Sequence, residues 1–134
     1  MNKPILCVDF DGVVHLYTTK WTDALTISDG PVPGALRWLW KATEWFDVQI
    51  YSSRSKTPGA IQAMRDWMMH HALEEFGLNH PMTDAPKEVP YPIDFATEKP
   101  AAFLTIDDRA VCFEGDWEGL EPADLLNFKP WNKR

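Results

Sequence analysis

Asp9 and Asp11 stand one residue apart at the end of a short apolar run, Ile5-Leu6-Cys7-Val8, and Asp107 and Asp108 stand side by side at the end of another, Phe103-Leu104-Thr105-Ile106. A third stretch, Asp47-Val48-Gln49-Ile50-Tyr51, ends in Ser52-Ser53-Arg54. Carboxylates gathered at one place raise one another's pKa and oppose folding unless a cation neutralises them. Hard oxygen donors with few neutral ligands suit Mg²⁺. A strand-like path sends the Asp9 and Asp11 side chains the same way, and Gly12 lets the backbone turn sharply after them.

These residues converge only if the runs that carry them lie parallel. Short apolar runs alternate with helical periodicity, the pattern of an α/β fold with a mainly parallel sheet, here of about five strands flanked by helices. Ligands bind at the C-terminal strand ends of such sheets, where these acids would sit. Pro33 and Gly34 open a helix of about a dozen residues, to Phe46, with Arg37, Lys41 and Glu44 on a narrow polar strip. Thr57 and Pro58 are suitable N-cap and N1 residues for a second helix, on which Ile61, Met64, Met68, Ala72 and Phe76 share a face and which Gly77 stops. Ile93-Asp94-Phe95, residues 103 to 106 and Val111-Cys112-Phe113 are the remaining predicted strands, and Leu120 to Phe128 a terminal helix. Residues 15 to 32 form an excursion or small hairpin, 78 to 92 a Pro-rich loop and 129 to 134 a basic tail. The whole, 1 to 134, is expected to be one domain.

Val8-Asp9-Phe10-Asp11-Gly12-Val13, then Ser52, Lys99 and Ile106-Asp107-Asp108, resemble the four ordered motifs of the haloacid dehalogenase (HAD) superfamily, framing residues 5 to 113. The resemblance implies a Rossmann-like core and phosphoryl chemistry: Asp9 as nucleophile, forming an aspartyl-phosphate, and Asp11 as general acid/base. Members that cleave carbon–halogen bonds generally lack an acid at the second position, so a phosphatase or phosphotransferase is implied. Ser52 would hydrogen-bond the phosphoryl group and Lys99 offset its charge. Mg²⁺ would be held by Asp9, the Asp11 backbone carbonyl and Asp108, with Asp107 as its outer partner. Ser52-Ser53-Arg54 is similar to the Ser-x-Arg of polynucleotide 3′-phosphatase domains, where the Arg assists phosphate binding; alone, Arg54 reads as a surface cation. His15, four residues past Asp11, is a candidate substrate contact, and Arg109 a counter-charge to the paired acids. His70, His71 and His80 lack the carboxylate or Cys company of a zinc site and are read as structural.

Neither the 40 residues between Asp11 and Ser52 nor the 46 between Ser52 and Lys99 leave room for a cap domain once the expected elements are placed. The chain thus resembles capless members, with 15 to 32 and 78 to 92 as the available lids. Residues 99 to 110 and 128 to 134 are also similar to a group of short HAD-like proteins of phages and bacteria. The expected substrate is a phosphorylated small molecule, a nucleotide or a nucleic-acid 3′ end. The alternative is a HAD-like protein that binds or sequesters a nucleotide or signalling molecule without turnover.

Composition bounds these readings. Thirteen Lys+Arg against 20 Asp+Glu give a net charge of −7, which argues against a broad nucleic-acid surface but not against a phosphorylated end held locally. The N-terminal apolar run is too short for a signal-peptide core, and no run approaches a membrane span, so the expectation is a cytoplasmic protein without membrane contact. Cys7 and Cys112 lie in apolar stretches and read as core thiols. Of seven Trp, Trp38 and Trp45 border an apolar arc wider than one sheet face needs. It packs on the rim of its own chain or makes a homodimer contact through the 35 to 46 helix. Trp21 lies where it could stack on a base or sugar.

Overall fold

The computed structural model describes residues 2–83 and 90–133; residues 84–89 of the expected Pro-rich loop lie outside the described residues. Strand β1 (Ile5–Val8) is the continuous apolar run, and Leu6, Cys7 and Val8 are buried. Such a run suits a strand with neighbours on both sides. It pairs in parallel with β2 (Asp47–Ile50) and with β4 (Leu104–Ile106), while β2 pairs with β3 (Asp94–Phe95). The resulting four-stranded parallel sheet has the order β3-β2-β1-β4 and is flanked by helices. It is an α/β arrangement compatible with a Rossmann-like fold.

Helix α1 (Ala35–Ala42) connects β1 to β2 and turns Leu36, Leu39 and Ala42 inward. It is shorter than its periodicity predicts. The Thr43 hydroxyl donates to the Trp40 carbonyl at 2.6 Å, and the chain continues to Phe46 as turns; a back-bonding Thr competes with the helix ladder in this way. Helix α2 (Ala60–Phe76) connects β2 to β3. It starts at Gly59, in the left-handed region, rather than at Thr57 and Pro58, and ends at Gly77 as expected. Met64, Met68 and Ala72 pack into one core with Leu6, Val8, Phe10 and Ile50.

Three expectations fail at the C-terminal side. Residues 111–113 form no strand, so the sheet has four strands among the described residues rather than five. Beyond β4 the Arg109 N–H is taken by the Asp107 carboxylate at 2.8 Å, and the chain runs on without a ladder. The terminal helix shrinks to one turn, α3 (Pro122–Leu125), with no buried residue. Cys112 is therefore exposed, while Cys7 is a core thiol as expected, its pKa raised by burial. No described helix is long and apolar enough to cross a membrane.

Candidate functional site

The chain builds β1, β2 and β3 in one direction across the sheet, then returns to lay β4 on the other side of β1. The order reverses between β1 and β4, and open parallel sheets bind ligands in the crevice beyond such a reversal. Asp9 and Asp11 follow β1, Asp107 and Asp108 follow β4, and the Asp9 N–H donates to the Ile106 carbonyl at 2.9 Å, closing the two strand ends together. Gly12 completes the turn with φ 81°. The backbone angle favours glycine, and a Cβ there would also force the Asp108 carboxylate to shift.

One carboxylate oxygen from each of Asp9, Asp107 and Asp108 lies within 4.8 Å of the others. Burial pushes the Asp9 carboxyl up to about 7; the Asp107 and Asp108 charges add to this, against the Phe10 N–H that donates to its Oδ1 at 2.8 Å. Asp108 Oδ1 is buried without a hydrogen-bond partner among the described residues. A buried carboxylate oxygen with no donor, beside two more carboxylates, is a donor set that suits a hard divalent cation. The Asp11 side chain is not part of this group.

Asp11 is held from behind. His15 Nδ1 lies 2.9 Å from its Oδ1, and Arg54 Nε donates to its Oδ2 at 2.8 Å. The Asp29 N–H donates to His15 Nε2 at 3.0 Å, which places the ring proton on Nδ1, facing Asp11. Burial alone would raise the Asp11 pKa, but the His15 and Arg54 hydrogen bonds outweigh it and hold the carboxyl below its usual range. His15 and Arg54 are thus buried supports of Asp11. Neither lines the hollows described below.

Arg54 also fastens the 15–32 excursion. Its Nη1 donates to the carbonyls of Asp23, Ala24 and Thr26 at 3.0 to 3.2 Å, and its guanidinium lies 4.5 Å from the Trp21 ring centre. Within the excursion the Asp29 carboxylate accepts from the Thr18 and Thr19 amides and the Thr19 hydroxyl. Trp67 Nε1 ties the Asp29 carbonyl to α2 at 2.9 Å, and its ring stands edge-on to Phe10 and His15. Trp67 is a pillar of the site that helical periodicity alone could not distinguish from any core residue.

Two hollows open on the acids. One, of about 290 Å³, is lined by Asp9, Ser52, Lys99, Asp107 and Arg109; the other, of about 240 Å³, by Asp9, Asp11, Tyr17, Trp21, Asp108 and Arg109. Ser52 is buried, and its Oγ accepts the Arg54 N–H at 3.1 Å while the Ser55 hydroxyl accepts the Ser52 N–H. This brings Ser52 and Lys99 to Asp9 as expected, and adds Arg109, the one motif-adjacent cation that lines both hollows. The other end of the chain also reaches the site: Trp131 Nε1 donates to the Gly12 carbonyl at 2.6 Å, and Asn132 Nδ2 to the Leu16 carbonyl at 2.9 Å.

His70 does have carboxylate company, since Glu74 lies 2.9 Å from its Nε2, with His71 beside them. The three are helix neighbours on the α2 surface, as i,i+3 and i,i+4 spacing dictates. His80 stacks on Phe76. No protein-family model matches the chain, and neither does any curated protein or solved structure.

Proposed function

We propose that the protein is a Mg²⁺-dependent phosphomonoester hydrolase of the HAD type, acting through an aspartyl-phosphate on Asp9. The observation that carries the proposal is the meeting of Asp9, Asp107 and Asp108 beyond the β1/β4 reversal, in hollows that also hold Ser52, Lys99 and Arg109. The residues resembling the four HAD motifs share one edge of one sheet. Mg²⁺ would be held by Asp9, Asp108 and the Asp11 backbone carbonyl, with Asp107 as outer partner, and would supply positive charge that offsets the phosphoryl group.

The Phe10 amide holds Asp9 Oδ1, so Oδ2 is the oxygen to attack phosphorus. The bond to the leaving oxygen breaks, that oxygen takes a proton, and water then cleaves the acyl phosphate to restore Asp9. Lys99, Arg109 and the Ser52 hydroxyl offset the transferring charge. Asp11 rests as a carboxylate, suited to taking a proton from the attacking water. To protonate the leaving oxygen, Asp11 must first take a proton from solvent, which release of one of its oxygens by His15 or Arg54 permits. It gives that proton to the leaving oxygen and regains one from the attacking water, and the 23–29 segment held by His15 and Arg54 is thereby linked to the proton step. Tyr17 and Trp21 in the second hollow favour a leaving group with a planar ring, as in a nucleotide or nucleic-acid 3′-phosphate.

The double clamp on Asp11 is the observation that favours the second reading, a protein that binds such a ligand without cleaving it. An aryl phosphate and a panel of sugar phosphates, nucleotides and 3′- or 5′-phosphorylated oligonucleotides, with and without Mg²⁺, separate the two. Turnover is expected only with Mg²⁺, and Asp9→Asn is expected to lower it about 10³-fold or more with the fold retained. Undiminished turnover by Asp9→Asn overturns the nucleophile. Tight calorimetric binding with the ligand recovered intact establishes the second reading.

A further inference from the structure

Residues 110–128 contain five acids and no Lys or Arg, and from Ala101 to Lys129 no residue is buried. Yet Val111, Phe113, Trp117, Leu125, Leu126 and Phe128 are all here, Trp117 at 73% and Leu126 at 88% exposure. Apolar exposure on this scale marks a contact surface. The segment is fixed at both ends, by Asp108 against Gly12 and by Trp131 on the Gly12 carbonyl. It is an arm tethered to the body, and among the described residues none of its large apolar side chains finds a buried place.

The body carries an apolar groove that lacks a cover. About 470 Å³ in volume, it is lined by Val8, Val13, Val32, Pro33, Trp38 and Ile106 among others, and by no residue of the arm. Its α1 wall presents Trp38 to solvent, with Lys41, also exposed, one turn further along the helix. Arg37 lies 3.7 Å from Glu75.

We infer that the groove of one copy receives the acidic, apolar arm of a second copy, and that the exchange is reciprocal, giving a two-fold dimer. The apolar side chains of the arm match the groove, and its Glu114, Asp116, Glu118, Glu121 and Asp124 suit the exposed Lys41, which i,i+3 spacing sets beside the groove-lining Trp38. The same acids turn away a nucleic acid. Two such contacts close the assembly, leaving no free arm and no open groove to propagate it. A standard interface uses roughly 20–30 residues a side, which arm and groove together supply. Because the groove wall includes Val13, next to Gly12, the partner's arm would border the candidate site.

Native Cys112 lies in the arm and Cys7 is buried, so a benzophenone maleimide labels the arm without mutation. Labelled chains of ordinary and heavy-nitrogen isotope are mixed, irradiated and digested. Cross-links are expected from Cys112 to peptides within residues 32–41, joining heavy to light chains. Sedimentation should give a dimer weakened at least tenfold by the double variant Trp38→Glu with Lys41→Glu and likewise by Leu126→Asp, none of these side chains being buried. Mixing the groove variant with the arm variant should recover a heterodimer of intermediate affinity, since one intact arm then meets one intact groove. A monomer at every concentration, cross-links confined to chains of one isotope, or a dimer indifferent to both variants overturns the inference.

Discussion

Residues 5–76 and residues 101–129 are both rich in large apolar side chains, yet only the first region buries them. In the first, β1, β2, α1 and α2 converge on Phe10, Ile50 and Met64, each fully buried. In the second, one edge strand and one helical turn leave Phe103, Trp117 and Leu126 in water. Apolar content alone therefore does not define a core; a core also needs a facing surface within reach of the same chain. The candidate site lies on the boundary, with Asp9 and Asp11 supplied by the packed region and Asp107 and Asp108 by the start of the unpacked one.

The sharpest way to break this contrast is by truncation on each side. Phe10→Ala should cost about 3–5 kcal/mol, whereas Leu126→Ala, measured by urea unfolding of dilute chains, should stay within about 0.5 kcal/mol. A comparable cost for Leu126→Ala would mean that the arm packs on its own body. Arg54→Ala removes the buried partner of Asp11 and the donor to three carbonyls, and should cost about 2–4 kcal/mol. Hydrogen exchange should then quicken at Thr18, Thr19 and Asp29 while the amides of the arm stay unchanged.

A smaller effect follows from Asp9. Its carboxyl titrates near 3.8 in an unfolded chain and is pushed up to about 7 in the folded one, so the folded state holds the proton more tightly. The stability it contributes is fully present below about pH 4 and is lost as pH rises through about 7. Metal-free Asp9→Asn should lack this dependence and melt higher near pH 8 by the equivalent of about 1–2 kcal/mol, less than the whole shift because the carboxylate is partly exposed. The smallest change is Trp131→Phe, which keeps the ring and loses the N–H on Gly12. A cost of about 1 kcal/mol is expected from thermal melts, with a larger fraction of it recovered in Trp131→His than in Trp131→Leu.

What was legible in the sequence follows the range of the forces involved. The continuous apolar run of β1, the i+3 and i+4 apolar steps of α2 and the acids at strand ends are local patterns, and each is where it was expected. The partners of Arg54 and His15 are not legible in the sequence, because they include Asp29 and the 23–26 carbonyls, brought in by folding. The start of α2 was misjudged because Thr57-Pro58 and Gly59 are both valid openings, and the left-handed turn at Gly59 prevails. The bond from Trp131 to Gly12 spans 119 positions and has no local signature. The absence of a strand at 111–113 reflects a missing neighbour, which no property of those three residues could reveal.

Gly12 is touched by Asp108 on one side and by Trp131 on the other, so the chain between them leaves and re-enters the molecule at one point. The sheet is complete before that excursion begins. Doubling the length of a closed loop costs only about 0.6 kcal/mol in chain entropy. The stretch after Asp108 is thus where this architecture can lengthen, shorten or accept a whole inserted module during evolution while the acidic edge of the sheet keeps its shape, and a designer seeking to graft a new element beside the acids would cut the chain there.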